Sequence, residues 1–308
     1  MSSERAIVSV RRLHVRFGAK VAVNDLSFEV FRGETFGFLG SNGSGKTSTI
    51  RALLGICQPS EGAALVNGRV FTPADGSRLG YLPEERGLYK NEPVLEVMVY
   101  FGRLKGLSRV GARRRASEFL ERVGLGAQAA TRIGKLSGGQ QQKIQLGVTI
   151  INNPELLILD EPTKGFDPVN RGLLMEIIAE QKRQGSTIVM VTHQMEEVEE
   201  LCSRAIMLKE GRTATYGTIA EIKQRYQKNR DIDVRFGGFL PPSDLYSAAA
   251  SGLNRATITM APNSTAPQVL AELMAAGVAI NSFTPLTISL NEVFLQVYGV
   301  PTDAPGAR

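Results

Sequence analysis

The chain has 308 residues, 43% of them hydrophobic, and a formal net charge of +6. That length predicts one large or two ordinary domains. Two isolated cysteines, Cys57 and Cys202, without CxxC spacing argue against a disulfide framework or a structural zinc site. No run approaches the ~18 apolar residues of a membrane span, and the first residues carry no signal-peptide pattern, so work at a membrane without crossing it is what the sequence allows.

Taken in order, residues 5 to 31 alternate apolar and polar ("IVSVRRLHVRF", "LSFEVF"), which predicts antiparallel strands with one buried face. "GETFGFLG" predicts a short buried strand, a glycine-rich turn follows, and "TSTIRALLGI" predicts a helix. From about Pro93 to Ile151 apolar residues recur three and four apart, predicting a helical region, bounded as about 88–151. "ELLILDEP" is a continuous apolar run, as in a parallel strand buried on both faces. "RGLLMEIIAEQKRQG" predicts a helix and "STIVMVTH" a further strand, which together form a strand–helix–strand crossover unit. After about Gly217 the composition shifts: between Phe236 and Leu290 only Asp244, Arg255 and Glu272 are charged. "IAEIKQRYQKN" predicts a helical connection, "DIDVRF" and "ATITMA" strands, and "APQVLAELMAAG" a helix. The expected division is 1–222 and 223–308, the second part a small α+β domain, with a disordered tail "PTDAPGAR".

Gly40, Ser41, Asn42, Gly43, Ser44, Gly45, Lys46 and Thr47 fit GxxxxGK[ST] between a strand and a helix. Glycines let backbone amides converge on phosphate oxygens, Lys46 can reach the β- and γ-phosphates, and Thr47 can hold Mg²⁺. Ser48 completes the candidate set for a nucleotide's phosphates. Asp160 stands at the end of the "LLILD" strand, where open parallel sheets bind ligands, and can coordinate the metal; Glu161 beside it can polarise a water. His193 closes the "STIVMVTH" run at the same sheet edge and is a candidate contact of the γ-phosphate, whereas His14 lies in a half-exposed strand without an assigned role. A second helix start suited to an anion, "LSGGQ" at Ser137, lies 91 residues beyond Lys46.

The ordered set Phe17, the phosphate loop, "LSGGQ", "LLILDE", "GFD" and His193 resembles the ATP-binding subunits of ABC transporters over roughly residues 5 to 222. The resemblance implies a P-loop NTPase (ABC ATPase) core of α/β class, with an antiparallel β subdomain and a helical subdomain. It implies an ATPase that uses ATP and Mg²⁺, sits at the cytoplasmic face of the membrane and drives a separate permease. In that family Ser137, Gly138 and Gly139, with Gln140, would contact the nucleotide held by a second ATP-binding subunit. The segment at Asp167 would link the two sites. Phe17 would stack on adenine, Glu161 would be the general base and His193 the switch histidine. "GYLPEERGLY", "THQMEEVEELC" and "LNEVFLQVYG" are similar to sodium-efflux and drug-efflux subunits of bacteria, which often carry a small C-terminal accessory domain.

Two departures stand out. Glu84 occupies the place where the family usually has a glutamine that senses Mg²⁺ and the attacking water, and Lys164 and Phe166 in "TKGFD" replace small and aliphatic residues. Glu84 keeps an oxygen ligand for Mg²⁺ but adds a charge. A rival class, a non-transport ABC ATPase acting on DNA or ribosomes, conflicts with the single phosphate loop and with a gap too short for a long coiled coil. No specific nucleic-acid partner is expected. Arg113 to Arg115 make a solvated helix face or a lipid contact.

Overall fold

The computed structural model describes residues 6–85, 87–227 and 230–299. Alternation builds a hairpin first: β1 (Ala6–Phe17) pairs antiparallel with β2 (Lys20–Phe31) from Ala6↔Phe31 to Phe17↔Lys20. β3 (Thr35–Gly40) is buried at every residue and leads through the phosphate loop into α1 (Lys46–Leu53). β4 (Glu61–Val66) then pairs with the free side of β1, giving an antiparallel sheet of order β2-β1-β4.

β5 (Leu79–Leu82) is followed by three helices, α2 (Val94–Leu104), α3 (Arg109–Arg122) and α4 (Gly138–Ile150). Glycines let them approach. A Cβ on Gly102 would lie 2.8 Å from the Ala112 Cβ, and one on Gly147 would lie 2.4 Å from the Phe119 ring. The chain continues as β6 (Leu156–Asp160), α5 (Pro168–Arg183), β7 (Thr187–Thr192), α6 (Met195–Leu201), β8 (Arg204–Lys209) and β9 (Arg212–Thr218). The main sheet has order β5-β6-β7-β3-β8-β9, parallel except between β8 and β9. β6 and β7 are buried throughout, as their unbroken apolar runs require. β7 lies between β6 and β3, so the carboxyl ends of the three strands adjoin. This brings Asp160, Thr192 and Gly40 to one edge of the sheet, although Lys46 and Asp160 are far apart in sequence.

The chain divides into two compact units between Ile219 and Ala220. The second begins within α7 (Ile219–Tyr226). It continues through β10 (Asp231–Gly237), β11 (Tyr246–Gly252), β12 (Arg255–Met260), α8 (Ala266–Ala275), β13 (Ala279–Pro285) and α9 (Leu290–Tyr298). Its antiparallel sheet has order β11-β12-β10-β13, and Ile232, Val234 and Ile258 pack with Val269 and Leu273 in a core of its own.

The observed elements differ from expectation at four places that matter. α5 starts at Pro168 rather than at Arg171, because Asp167 accepts a hydrogen bond from the Asn170 backbone at 3.0 Å and proline suits the first helical position. β7 ends at Thr192, so His193 stands just beyond the strand instead of closing it. β11 and β13 lacked a strong alternation and follow from pairing with their neighbours. The expected disordered tail lies outside the described residues, as do Arg86 of "GYLPEERGLY" and the last two residues of "IAEIKQRYQKN". Among the described residues no helix is long and apolar enough to cross a membrane.

Candidate active site

The loop after β3 depends on glycine. Gly40, Gly43 and Gly45 have φ of 150°, 80° and 105°. A Cβ on Gly40 would lie 2.4 Å from Ser44 Oγ, and one on Gly45 would lie 2.6 Å from the Ala22 carbonyl oxygen. α1 begins on Gly45 with no side-chain cap and no acidic residue in its first turn, so the N–H groups of its first turn are left for an anion. Lys46 Nζ donates to the carbonyls of Gly40 at 2.7 Å and Ser41 at 3.1 Å, across the loop. Burial draws the Lys46 ammonium below its ordinary pKa, against Glu161, Asp160 and Glu84, which favour its charge. Ser44 Oγ is buried beside it without a hydrogen-bond partner. Open amides, a buried lysine and an unsatisfied hydroxyl in one cradle fit a polyphosphate.

At the end of β6, Asp160 is 4% exposed. Burial, reinforced by the charges of Glu84 and Glu161, pushes its carboxyl up to about 6; Lys46 and Lys164 oppose the shift. Asp160, Glu84 and Thr47 line the same cleft as Lys46 and form an all-oxygen set of the kind a hard divalent cation takes, with phosphate and water completing the shell.

Glu161 has φ 48°, sparsely populated for a residue with a side chain, and its N–H donates to the Val191 carbonyl at 2.8 Å. Its carboxylate is held against the end of β7. Thr192 Oγ1 donates to Oε2 at 3.3 Å, the His193 N–H donates to Oε1 at 3.1 Å, and His193 Nδ1 lies 2.7 Å from Oε1. That leaves Nε2 of the half-exposed His193 ring available to another group.

The β1–β2 hairpin supplies the remaining wall, with Phe17 49% exposed at the end of β1 and Lys20 and Ala22 beyond it. The whole forms a cleft of about 290 Å³ containing Phe17, Asn42, Gly43, Gly45, Lys46, Thr47, Ser48, Glu84, Asp160, Glu161 and His193. Gly40, Ser41 and Ser44 complete the loop behind it. A larger cleft, about 390 Å³, lies under α3, α4 and α5, but Arg122 and Arg114 there are paired with Glu180 and Glu118.

Ser137, Gly138, Gly139, Gln140 and Asp167 do not line this cleft. Ser137 is the exposed N-cap of α4: its hydroxyl accepts from the Gln140 N–H at 3.3 Å and its own N–H donates to Gln140 Oε1 at 2.9 Å. Asp167 caps α5, and its hydrogen bonds from Asn170 hold its carboxyl below the usual aspartate range.

Comparison with known proteins identifies the family. A family model described as "ABC transporter" matches residues 23–164, and one described as "ATP-binding protein DrrA1-3-like, C-terminal domain" matches residues 217–298. The chain is 35% identical over 288 residues to the uncharacterized ABC transporter ATP-binding protein YhaQ of Bacillus subtilis, covering 92% of this chain and 95% of that protein. The chain belongs to the ABC transporter ATP-binding family. It is 38% identical over 215 residues to Nod factor export ATP-binding protein I of Cupriavidus pinatubonensis, covering 69% of this chain and 66% of that protein. A solved structure of an ATP-binding subunit of an ABC transporter superposes with a TM-score of 0.67 at 30% identity, over 71% of this chain and 93% of that one. This ABC subunit is therefore an ATPase of the kind that powers transport, and the expected C-terminal accessory domain is present as the DrrA1-3-like match.

Sequence reading did not assign three groups that shape this ABC site. Lys20 and Lys164 line the cleft, and Thr192 holds the Glu161 carboxylate. A fourth, Glu197, is fully buried. It accepts from Thr163 Oγ1 at 2.6 Å and Arg171 Nε at 2.9 Å, while Gln194 Nε2 donates to the same threonine at 3.2 Å. Only the oddity of a lysine in "TKGFD" was a signal for any of them.

Proposed function

We propose that this subunit drives a separate membrane permease, as an exporter, by closing with a second ATP-binding subunit around ATP at the cytoplasmic face of the membrane. Residues 1–222 form the ATP-binding domain and 223–308 the accessory domain. The observation that carries the reading is a division within one chain: the phosphate loop, Asp160, Glu161 and His193 share a cleft, while Ser137 to Gln140 and Asp167 lie outside it. A second subunit presenting its Ser137 helix start to this cleft completes the site.

In the closed site Phe17 stacks on adenine, and the loop amides with Lys46 hold the β- and γ-phosphates. Thr47, Asp160 and Glu84 hold Mg²⁺, which neutralises phosphate charge when bound. Glu161 takes a proton from water as its oxygen attacks the γ-phosphorus and the bond to the β-phosphate oxygen breaks, leaving ADP and phosphate. His193 orients that carboxylate through Nδ1 and turns Nε2 toward the γ-phosphate. Tyr89 and Tyr100, exposed and in edge contact at 6.0 Å, flank a cleft of about 380 Å³ with Glu92 and Glu96. It supplies an apolar seat for a cytoplasmic helix of the permease. Export is supported by the relative named for Nod factor export and by the DrrA-like second domain.

The test is capture of tagged Glu161→Gln protein with Mg-ATP from gently solubilised native membranes. The substitution keeps the clamp and removes the base, so turnover falls by about 10²–10⁴ while a dimer accumulates. Recovery of a multi-span membrane protein at equal stoichiometry is expected. Ribosomes or DNA-bound proteins without a membrane partner, or a monomer in saturating Mg-ATP, overturn the reading.

A further inference from the structure

The two departures from the family pattern touch each other. Lys164 Nζ lies 2.5 Å from Glu84 Oε1. Glu84 follows β5 and Lys164 follows β6, and these strands are paired in parallel with Leu82 opposite Leu159, so the contact ties two loops at the mouth of the cleft. The lysine and the glutamate stand where the family has a small residue and a glutamine. As a pair they restore the neutrality that each alone would disturb.

That neutrality matters because of what surrounds it. Among the described residues, the charged groups lining the cleft are Glu84, Asp160 and Glu161 against Lys20, Lys46 and Lys164, with His193 beside Glu161. Lys20 lies on the hairpin near Phe17, and the cations that act on Asp160 are Lys46 and Lys164. Without Lys164, three carboxylates would face the phosphates with Lys46 as their neighbouring cation. With it, the Glu84 charge is compensated where a metal ion would also seek it.

We infer that Lys164 is a positioning residue of the nucleotide site, which compensates Glu84 in the nucleotide-free state and competes with Mg²⁺ for the same carboxylate. The inference rests on the assignment of this cleft to Mg-ATP. Both side chains are partly solvated, 59% and 45% exposed, so the pair contributes little to folding. Its effect falls on the charge that an incoming ligand meets.

Loss of the lysine therefore moves two affinities in opposite directions. Lys164→Met keeps the aliphatic stem and removes the charge. Free Glu84 then repels metal-free ATP and attracts the cation without a competitor. Binding of a fluorescent ATP analogue to the full chain in EDTA at low ionic strength should weaken roughly three- to tenfold. At a fixed subsaturating nucleotide concentration, the half-saturating Mg²⁺ concentration should fall by a similar factor. Adding Glu84→Gln to Lys164→Met should reverse the weakening in EDTA and raise the half-saturating Mg²⁺. A lysine that merely braced the loops would shift both affinities the same way or neither, and Glu84→Gln would not reverse it; any of these results overturns the inference. If the wild-type chain fails to bind the analogue under any condition, the assignment of the cleft to ATP falls and the inference with it. Normal wild-type binding with an unresponsive Lys164→Met sinks the ion-pair inference alone.

Discussion

Asp160 carries a cost that the proposed Mg²⁺ would offset. Its ordinary carboxyl value of 3.8 is raised to about 6 in the folded chain, first by burial and then by Glu84 and Glu161. The folded state therefore binds a proton that the unfolded state releases, and stability falls as pH rises from about 4 to about 6. Asp160→Asn removes the buried charge. Urea melts of the nucleotide-free protein should show the variant about 1–3 kcal/mol more stable than wild type at pH 7.5, with the difference gone at pH 4; a loss at pH 7.5 would contradict the environment described. Ser137, in its proposed role toward a second subunit, separates folding from function in the same way. Its hydroxyl accepts one bond from Gln140 and keeps its own proton free to donate. Aspartate caps a helix as well as serine does but has no proton to give and repels phosphate. Ser137→Asp should leave the thermal midpoint and the ATP affinity of the monomer unchanged and abolish ATP-driven dimerisation, read by light scattering.

At the scale of elements, the parallel sheet and its phosphate loop were legible because their signals are local. The unbroken run "LLILD" and the strand–glycine–helix order each report a short piece of chain. What joins elements was not legible. Lys164 reads as an exposed lysine until β5 and β6 are laid side by side, and Thr192 reads as a strand residue until β7 meets β6. β11, "YSAAASG", has only Tyr246 buried and weak strand formers elsewhere, so its conformation comes from β12 and not from its own residues. Glu197 on α6 is the clearest case. It ties Arg171 on α5 to Thr163 in the turn after Glu161, and Gln194 joins them from the turn after His193. The loops that carry the proposed base and the proposed switch histidine thus meet at Thr163, which itself donates to this buried carboxylate. Glu197→Ala strips Arg171 and Thr163 of that partner in a dry site and should cost about 2–4 kcal/mol in denaturant melts. Phosphate release should slow as well, with ATP affinity changed less than turnover. A variant as stable as wild type would show the network to be dispensable.

For the whole molecule, the two units each possess an apolar centre. Ile7, Phe36, Phe38 and Ile206 belong to one in the first unit, and Ile232, Ile258 and Leu273 to that of the second. The cleft proposed for ATP is lined, among the described residues, by the first unit alone, from Phe17 to His193. Separate cores predict unfolding in two steps rather than one equilibrium between two states. Scanning calorimetry should resolve two endotherms. Mg-ATP at a hundred times its dissociation constant stabilises the state that binds it by about 2.7 kcal/mol, so one endotherm should move upward while the other stays in place. Their joint movement would mean that the units unfold as one. The separate cores thus turn a ligand titration into a map: heat absorbed at the fixed temperature belongs to the accessory domain, and substitutions there can be scored for stability without any assay of transport.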